Sequence, residues 1–363
     1  MDYIQDAFAK NWIAPLGDNI AGFENDIQAF LEENIYVTAL NTGTSAIHLA
    51  MVLLGVQRDD WVICQDLTFI ASINPAIYLG AKPVFVGSEK ETWNMSPEFL
   101  EEAIVSCIRK GKKPKLIVWV NLYGMPAKIS EIKAIADKYE IPLLEDAAES
   151  LGSEYYGRKC GTFGDISIVS FNGNKIITTS NGGALLSSKK TYTDKARFLA
   201  SQARDSVSHY QHSEVGYNYA LSNISAGIGR GQMTAIQDRI IARRKIHAFY
   251  KQAFDGIDGI KLHNEPNDLF FSNHWLSCIL VDPVVTGGAD RERVRLSLQK
   301  SLIESRPLWN PMHLQLVFKD CDYYGDNISE DLFNTGLCLP SGSNLIQNEL
   351  EEIVEIVTKC VCL

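Results

Sequence analysis

Leu116-Ile-Val-Trp-Val120, a stripe of Ile132, Ile135, Ala136 and Tyr139, and Pro142-Leu-Leu-Glu-Asp-Ala-Ala-Glu149 follow one another along the chain. Short unbroken apolar runs fit strands buried on both faces, as in a parallel sheet, and apolar residues at helical spacing between two such runs read as a crossover. The pattern repeats outward. Trp61–Cys64, Pro83–Val86 and Ile166–Phe171 read as further strands, and Ser96 followed by Pro97 opens a helix with Leu100, Ala103, Ile104, Cys107 and Ile108 on one face. Serine at the N-cap and proline at the first helical position are a strong start signal. Alternation of this kind over roughly 150 residues implies an α/β domain with right-handed crossovers, whose ligands sit at the C-terminal ends of the strands.

With 363 residues, 46% hydrophobic and 21% charged, the chain can bury a large core and form two domains. A net charge of -10 argues against a nucleic-acid partner, which would demand clustered Lys and Arg. No stretch approaches the roughly 20 apolar residues that span a bilayer, and Met1 to Lys10 lacks a basic segment followed by an apolar run. A cytoplasmic protein with no membrane association is expected. Eight scattered cysteines without a Cys-x-x-Cys read as free thiols, and His209 and His212 lack metal-site spacing, so no metal is expected. From Leu221 to about Phe254 a long helix or helix pair carries Arg239, Arg243, Arg244 and Lys245; beyond it short strands mix with helices such as Glu349–Lys359. The expected organisation is a large α/β domain over residues 1–240 and a smaller α+β domain over 241–363, with 283–289 as the most linker-like stretch.

Ser170-Phe-Asn-Gly-Asn-Lys175 follows a buried strand. Alone, Lys175 reads as a solvated loop lysine; in a cleft, with its pKa lowered from about 10.4 towards about 7 to 8, it can condense with an aldehyde. Its company favours the second reading. Asp146 stands at the end of a parallel strand, where a carboxylate can hold a pyridine nitrogen protonated, and Glu149 could hydrogen-bond near the ring's phenolic oxygen or the reacting centre, although each alone could merely favour a helix start. Asn41-Thr-Gly-Thr-Ser-Ala46 opens a nearly all-apolar helix, so Gly43, Thr44 and Ser45 could cradle a phosphate or simply cap it. Ser170 could add a hydroxyl, and Phe69 could stack on a ring or belong to the core.

This order of motifs resembles the DegT/DnrJ/StrS family of sugar aminotransferases, within the fold type I pyridoxal phosphate (PLP) enzymes, from about Ile13 to about Pro340. The resemblance implies a large, mixed but mostly parallel sheet domain and a smaller C-terminal α+β domain. It implies PLP carried by Lys175, with Gly43, Thr44, Phe69, Asp146, Glu149 and Ser170 around it. Gly216-Tyr-Asn-Tyr-Ala-Leu-Ser-Asn223 is also similar to the family, where the position of Asn218 reaches the other subunit's PLP phosphate. An obligate homodimer with shared sites follows.

Ile13-Ala-Pro-Leu-Gly17 and Ser305-Arg-Pro-Leu-Trp-Asn-Pro-Met-His313 resemble the branch that makes UDP-4-amino sugars for bacillosamine-type glycans. That implies substrate contacts from Ile13, Pro15, Leu16, Gly17, Arg306, Trp309 and His313. It also implies transfer from L-glutamate to C4 of a UDP-linked 2-acetamido-2,6-dideoxy-4-keto hexose. Arg306 could instead form a surface ion pair, and His313 could be an interior histidine. A GDP- or dTDP-linked keto sugar and a non-catalytic regulatory role are the alternatives; related dehydratases carry histidine where this chain has Lys175. Departures from the family pattern include Asn121 where histidine is common, Ala220 where arginine is common, and Glu149 for the frequent Gln or His.

Overall fold

The computed structural model describes residues 1–32 and 34–362. Its strands are β1 (Tyr36–Leu40), β2 (Trp61–Gln65), β3 (Lys82–Val86), β4 (Leu116–Val120), β5 (Leu143–Asp146), β6 (Glu154–Tyr155), β7 (Arg158–Lys159), β8 (Ile166–Ser170), β9 (Gly183–Ser187), β10 (Ile260–Leu262), β11 (Phe270–Phe271), β12 (Ser277–Val281), β13 (Arg306–Pro307), β14 (Asp322–Tyr324) and β15 (Gly336–Leu339). Eight of them form one sheet in the order β1-β9-β8-β5-β4-β2-β3-β14. Only β9 is reversed, pairing antiparallel with β1 and β8, while β2, β3, β4, β5, β8 and β14 pair in parallel. The large unit is therefore built on the mixed, mostly parallel α/β sheet that the sequence led us to expect.

Each unbroken apolar run is explained by burial on both faces. Along β4, Leu116 and Val118 enter a core with Cys64, Phe85 and the helix Gly43–Leu53. Ile117 and Trp119 enter the opposite core with the helices Pro97–Arg109 and Ile129–Tyr139. The expected cap is present: Ser96 Oγ accepts from the Phe99 amide, and Leu100, Ala103, Ile104 and Cys107 are buried. Ile108, assigned to the same stripe, is instead 42% exposed.

The region after Leu221 is a helix pair, Asn223–Met233 and Ile236–Phe254. The expected division between residues 240 and 241 falls inside the second helix. Its Ile236 and Ile240 pack with Phe23 and Val37, whereas Ile246, Tyr250 and Phe254 pack with the four-stranded sheet β10-β12-β15-β13. The later chain also returns to the first unit, because β11 pairs with β6 and β14 extends β3. Residues 283–289 are not a linker between domains. They turn from β12 into the helix Arg291–Lys300, and Thr286 Oγ1 donates to Asp282 O at 2.9 Å.

Among the described residues no helix is long and apolar enough to cross a membrane.

Candidate active site

Parallel strands bring their C-terminal ends to one edge of the sheet, and β5 and β8 end there on Asp146 and Ser170. Asp146 is buried, its carboxylate accepting from Ser72 Oγ at 2.7 Å and the Ala148 amide at 3.0 Å. Burial raises its pKa, against the pull of those two donors and of the Lys175 charge. It forms no ion pair among the described residues. Glu149 is also buried; Oε2 accepts from the Tyr123 amide at 2.8 Å and Oε1 from Lys175 Nζ at 3.2 Å. Burial raises this carboxyl too, opposed first by Lys175.

Lys175 is far from a solvated loop lysine, since only 11% of its side chain is exposed. Its Nζ lies 4.1 Å from the centre of the Trp275 ring, an arrangement that attracts a cation to the aromatic face. The indole Nε1 of Trp275 donates to the carbonyl of Asn174 at 2.8 Å, fixing the residue next to the lysine. Trp275 is itself held, because its amide donates to Asn273 Oδ1 and its carbonyl accepts from the buried Arg243.

At the start of the helix Gly43–Leu53, Thr42 caps the Ser45 amide through Oγ1 at 2.8 Å. That removes Ser45 from any cradle but leaves the amides of Gly43 and Thr44, which a helix start cannot satisfy internally. A Cβ on Gly43 would stand 3.1 Å from Ser170 Cβ and 3.3 Å from its Oγ, so the Ser170 hydroxyl and these amides share one small space. Hydroxyl and helix-start amides together suit a phosphate. A buried carboxylate, a lysine amine and an anion-binding helix start thus fit PLP.

Phe69 is 49% exposed at this edge and its ring centre lies 5.3 Å from that of Trp309. Trp309 packs on Tyr123, whose hydroxyl accepts from the Trp309 amide at 2.9 Å. Tyr123 adopts φ 55, costly for a bulky residue, and is pinned there by this bond and by Glu149. Tyr123, Asn174, Trp275, Arg306, Trp309 and Ser341 border a cleft of about 1470 Å³.

The remaining expected site residues do not all meet at this cleft. His313 donates or accepts at Asp66 through Nδ1 (2.9 Å) and at Glu330 through Nε2 (3.2 Å), and stacks on Tyr323. Burial opposes its charge, yet the two carboxylates raise its pKa. With both ring nitrogens engaged, His313 is the interior histidine and not a free ligand contact. Arg306 reaches the cleft rim but pairs with Glu304, Nε to Oε1 at 2.7 Å, and its side chain is 75% exposed. Ile13, Pro15, Leu16 and Gly17 gather at the head of the helix Asn223–Met233. There the Asn223 amide donates to Ala14 O and its Nδ2 to Trp12 O, both at 2.9 Å. A Cβ on Gly17 would strike the Asn223 side chain. Ile13 and Leu16 remain over half exposed and are not among the residues lining the cleft. Asn218 is exposed, and its carbonyl accepts from Asn41 Nδ2 at 3.1 Å.

Trp275, Tyr123 and Asp66 were given no role in the sequence reading, and Asn223 entered it only as the last residue of a motif. Asp66 had a usable signal, being a carboxylate directly after a parallel strand, as Asp146 is. Trp275 had none, because it stands between two short strands with no local motif. His247, Glu265 and His274 also converge. The two imidazoles stack 3.5 Å apart at 6°, and Glu265 is engaged by Arg244. Parallel rings cannot aim their in-plane lone pairs at one ion, so the cluster is packing.

The sequence profile of the DegT/DnrJ/EryC1/StrS aminotransferase family matches residues 1–358. The chain belongs to that family. It is a PLP-dependent sugar aminotransferase of the DegT/DnrJ/EryC1/StrS type. The Bacillus subtilis (strain 168) protein EpsN, to which PLP-dependent aminotransferase activity is attributed, is 46% identical over 362 residues, covering 98% of this chain and 91% of that one. GDP-perosamine synthase of Escherichia coli O157:H7 is 36% identical over 360 residues, covering 99% and 94%. Among solved structures, a DegT/DnrJ/EryC1/StrS aminotransferase from Brucella abortus superposes with a TM-score of 0.91 at 27% identity, covering 99% of this chain and 94% of that one.

Proposed function

We propose that this aminotransferase moves the amino group of L-glutamate to C4 of a nucleotide-linked keto hexose, with a UDP-linked 2-acetamido-2,6-dideoxy-4-keto hexose as its substrate and bacillosamine-type glycans as the destination. The observation that carries the reaction is Lys175 Nζ held between Glu149 and the Trp275 face at the end of the strand bearing Asp146. Bound PLP supplies an electron sink that stabilises negative charge at the carbon losing a proton. Lys175 would hold the cofactor, and its amine would carry the proton at the reacting carbon in both half-reactions. Positioned transfer of this kind contributes about 10²–10⁴-fold. Asp146 keeps the pyridine nitrogen protonated, Gly43, Thr44 and Ser170 hold the phosphate, and Phe69 covers the ring. Glu149 orients the Lys175 amine. Trp309 and Arg306, on the cleft wall, receive the nucleotide sugar.

The working form in this proposal is a cytoplasmic homodimer in which Asn218 completes the partner's phosphate site. Its support is the exposure of Asn218 and of neighbouring Tyr210 and Val215, which are 80% and 84% exposed.

A GDP-linked substrate is the second reading, favoured by the 36% identity to a GDP-perosamine synthase over nearly the whole chain. A panel of UDP-, GDP- and dTDP-linked 4-keto sugars, assayed with glutamate for 2-oxoglutarate release, separates the two. Turnover of the UDP-linked acetamido sugar at least about tenfold above the rest in kcat/KM supports the first reading. Preference for the GDP-linked sugar overturns it. Protein that binds no PLP would remove both.

A further inference from the structure

Cys278 in β12 and Cys338 in β15 are register partners in an antiparallel pair, with their sulfurs 3.7 Å apart. The backbone shows what kind of pair this is. The Cys278 carbonyl accepts from the His263 amide at 2.9 Å, continuing the ladder to β10, so its peptide groups point away from β15. Cys278 and Cys338 therefore form a non-hydrogen-bonded pair, in which Cα atoms approach to about 4.5 Å and side chains come closest. Disulfides accept Cα separations of about 4.4–6.8 Å. Both thiols are free. They pack with Leu67, Tyr123, Trp275 and Leu308, directly behind the wall that faces Lys175. Cys338 is 7% exposed and borders the cleft, whereas Cys278 is 1% exposed.

We propose that Cys278 and Cys338 are a modification site: a cross-strand dithiol, with Cys338 bordering the cleft, that a small hydroperoxide converts to a reversible disulfide. Cys338, the less buried member and the one that borders the cleft, attacks first. Its sulfur bonds to one peroxide oxygen, the O–O bond breaks, and the other oxygen leaves as water or alcohol with the thiol's proton. Cys278 then attacks the Cys338 sulfur; the S–S bond forms, the S–O bond breaks and water leaves. The two thiols lose two electrons and the peroxide gains them. The strands need not re-register, because the sulfurs are already in contact and close to a bond of about 2.05 Å. A cytosolic reductant of the dithiol class reverses the change by thiol–disulfide exchange.

The test uses the PLP-loaded enzyme treated with hydrogen peroxide, alkylated without reduction, digested and mapped by mass spectrometry. The expected product is one cross-linked species joining the peptides that contain Cys278 and Cys338. It should be lighter by two hydrogens than the two thiol peptides together, and be lost after reduction. In Cys278→Ser, Cys338 should instead be captured by a sulfenic-acid reagent. Recovery of both cysteines as alkylated thiols under conditions that oxidise the exposed Cys362 would overturn the proposal. So would their separate over-oxidation with no cross-link.

Discussion

Mild acid should destabilise this protein through two histidines. His263 lies flat on Trp93 with ring centres 3.7 Å apart and is 8% exposed; His247 stacks on His274 and is 4% exposed. Burial, with His274 adding repulsion at His247, lowers each from 6.5 to about 3. A histidine with a depressed folded pKa is neutral in both states above the unfolded value, so its full stability is present there. As pH falls below 6.5 the unfolded chain takes up a proton that the fold refuses, and stability is lost until about pH 3. At about pH 5 each imidazole therefore costs about 2 kcal/mol, and the pair about 4 kcal/mol, a large part of the roughly 5–15 kcal/mol typical of a folded domain. Glu145, Asp146 and Glu149 work in the opposite sense, because burial raises their pKa values and the fold binds protons more readily than the open chain. The comparison should therefore be made between variants. His263→Phe keeps a ring on Trp93 and removes one titrating group. Urea denaturation of the PLP-loaded enzyme at about pH 7 and about pH 5 should show the variant losing about 2 kcal/mol less than the parent. Equal losses would mean that His263 is protonated in the fold and the reasoning is wrong.

Lys175→Ala should leave the fold intact by circular dichroism yet abolish turnover and prevent borohydride from fixing the cofactor to the protein; retained activity would free Lys175 from its assigned role. Gly183→Ala places a Cβ 2.5 Å from the Gly43 amide nitrogen and 2.6 Å from Thr42 O, backbone atoms that no rotamer relieves. It should cost about 1–3 kcal/mol and weaken PLP binding by about tenfold in equilibrium dialysis, and unchanged affinity would separate this helix start from the phosphate. Asp66→Asn removes a fully buried partner of His313 and should cost about 3 kcal/mol in thermal or urea unfolding, with the His313 titration followed by NMR moving to lower pH. An unmoved titration would assign the raised pKa to Glu330 alone.

What the sequence revealed follows from where its information is local. Strands β2 to β5 and β8 were legible because burial on both faces leaves an unbroken apolar run, and Ser96-Pro97 states a helix start in two residues. β14 was not legible: Asp322–Tyr324 is three residues long, partly exposed, and reaches the sheet only by pairing with distant β3. The lysine, the strand-end carboxylates and Ser170 were readable because strand topology alone carries them to one edge. The sequence left His313 open between a ligand contact and an interior histidine, because its surroundings are set by Asp66, 247 residues earlier, and by Glu330. The segment 13–17 carries a motif, but Asn223 decides where it is fastened. Residues 283–289 resemble a linker in their proline and paired glycines, yet a turn inside a packed unit uses the same residues.

The helix Ile236–Phe254 is about 28 Å long and rooted at either end in a different core. Melting either core strips that helix of half its packing and exposes apolar residues belonging to the other. Heat and denaturant should accordingly meet one cooperative unit, not two modules that come apart in turn. Arg243, midway along the same rod, grips the carbonyl of Trp275. The lysine's environment is thus a gauge of how both halves are seated, and a cut at residue 240 would sever the axle they share.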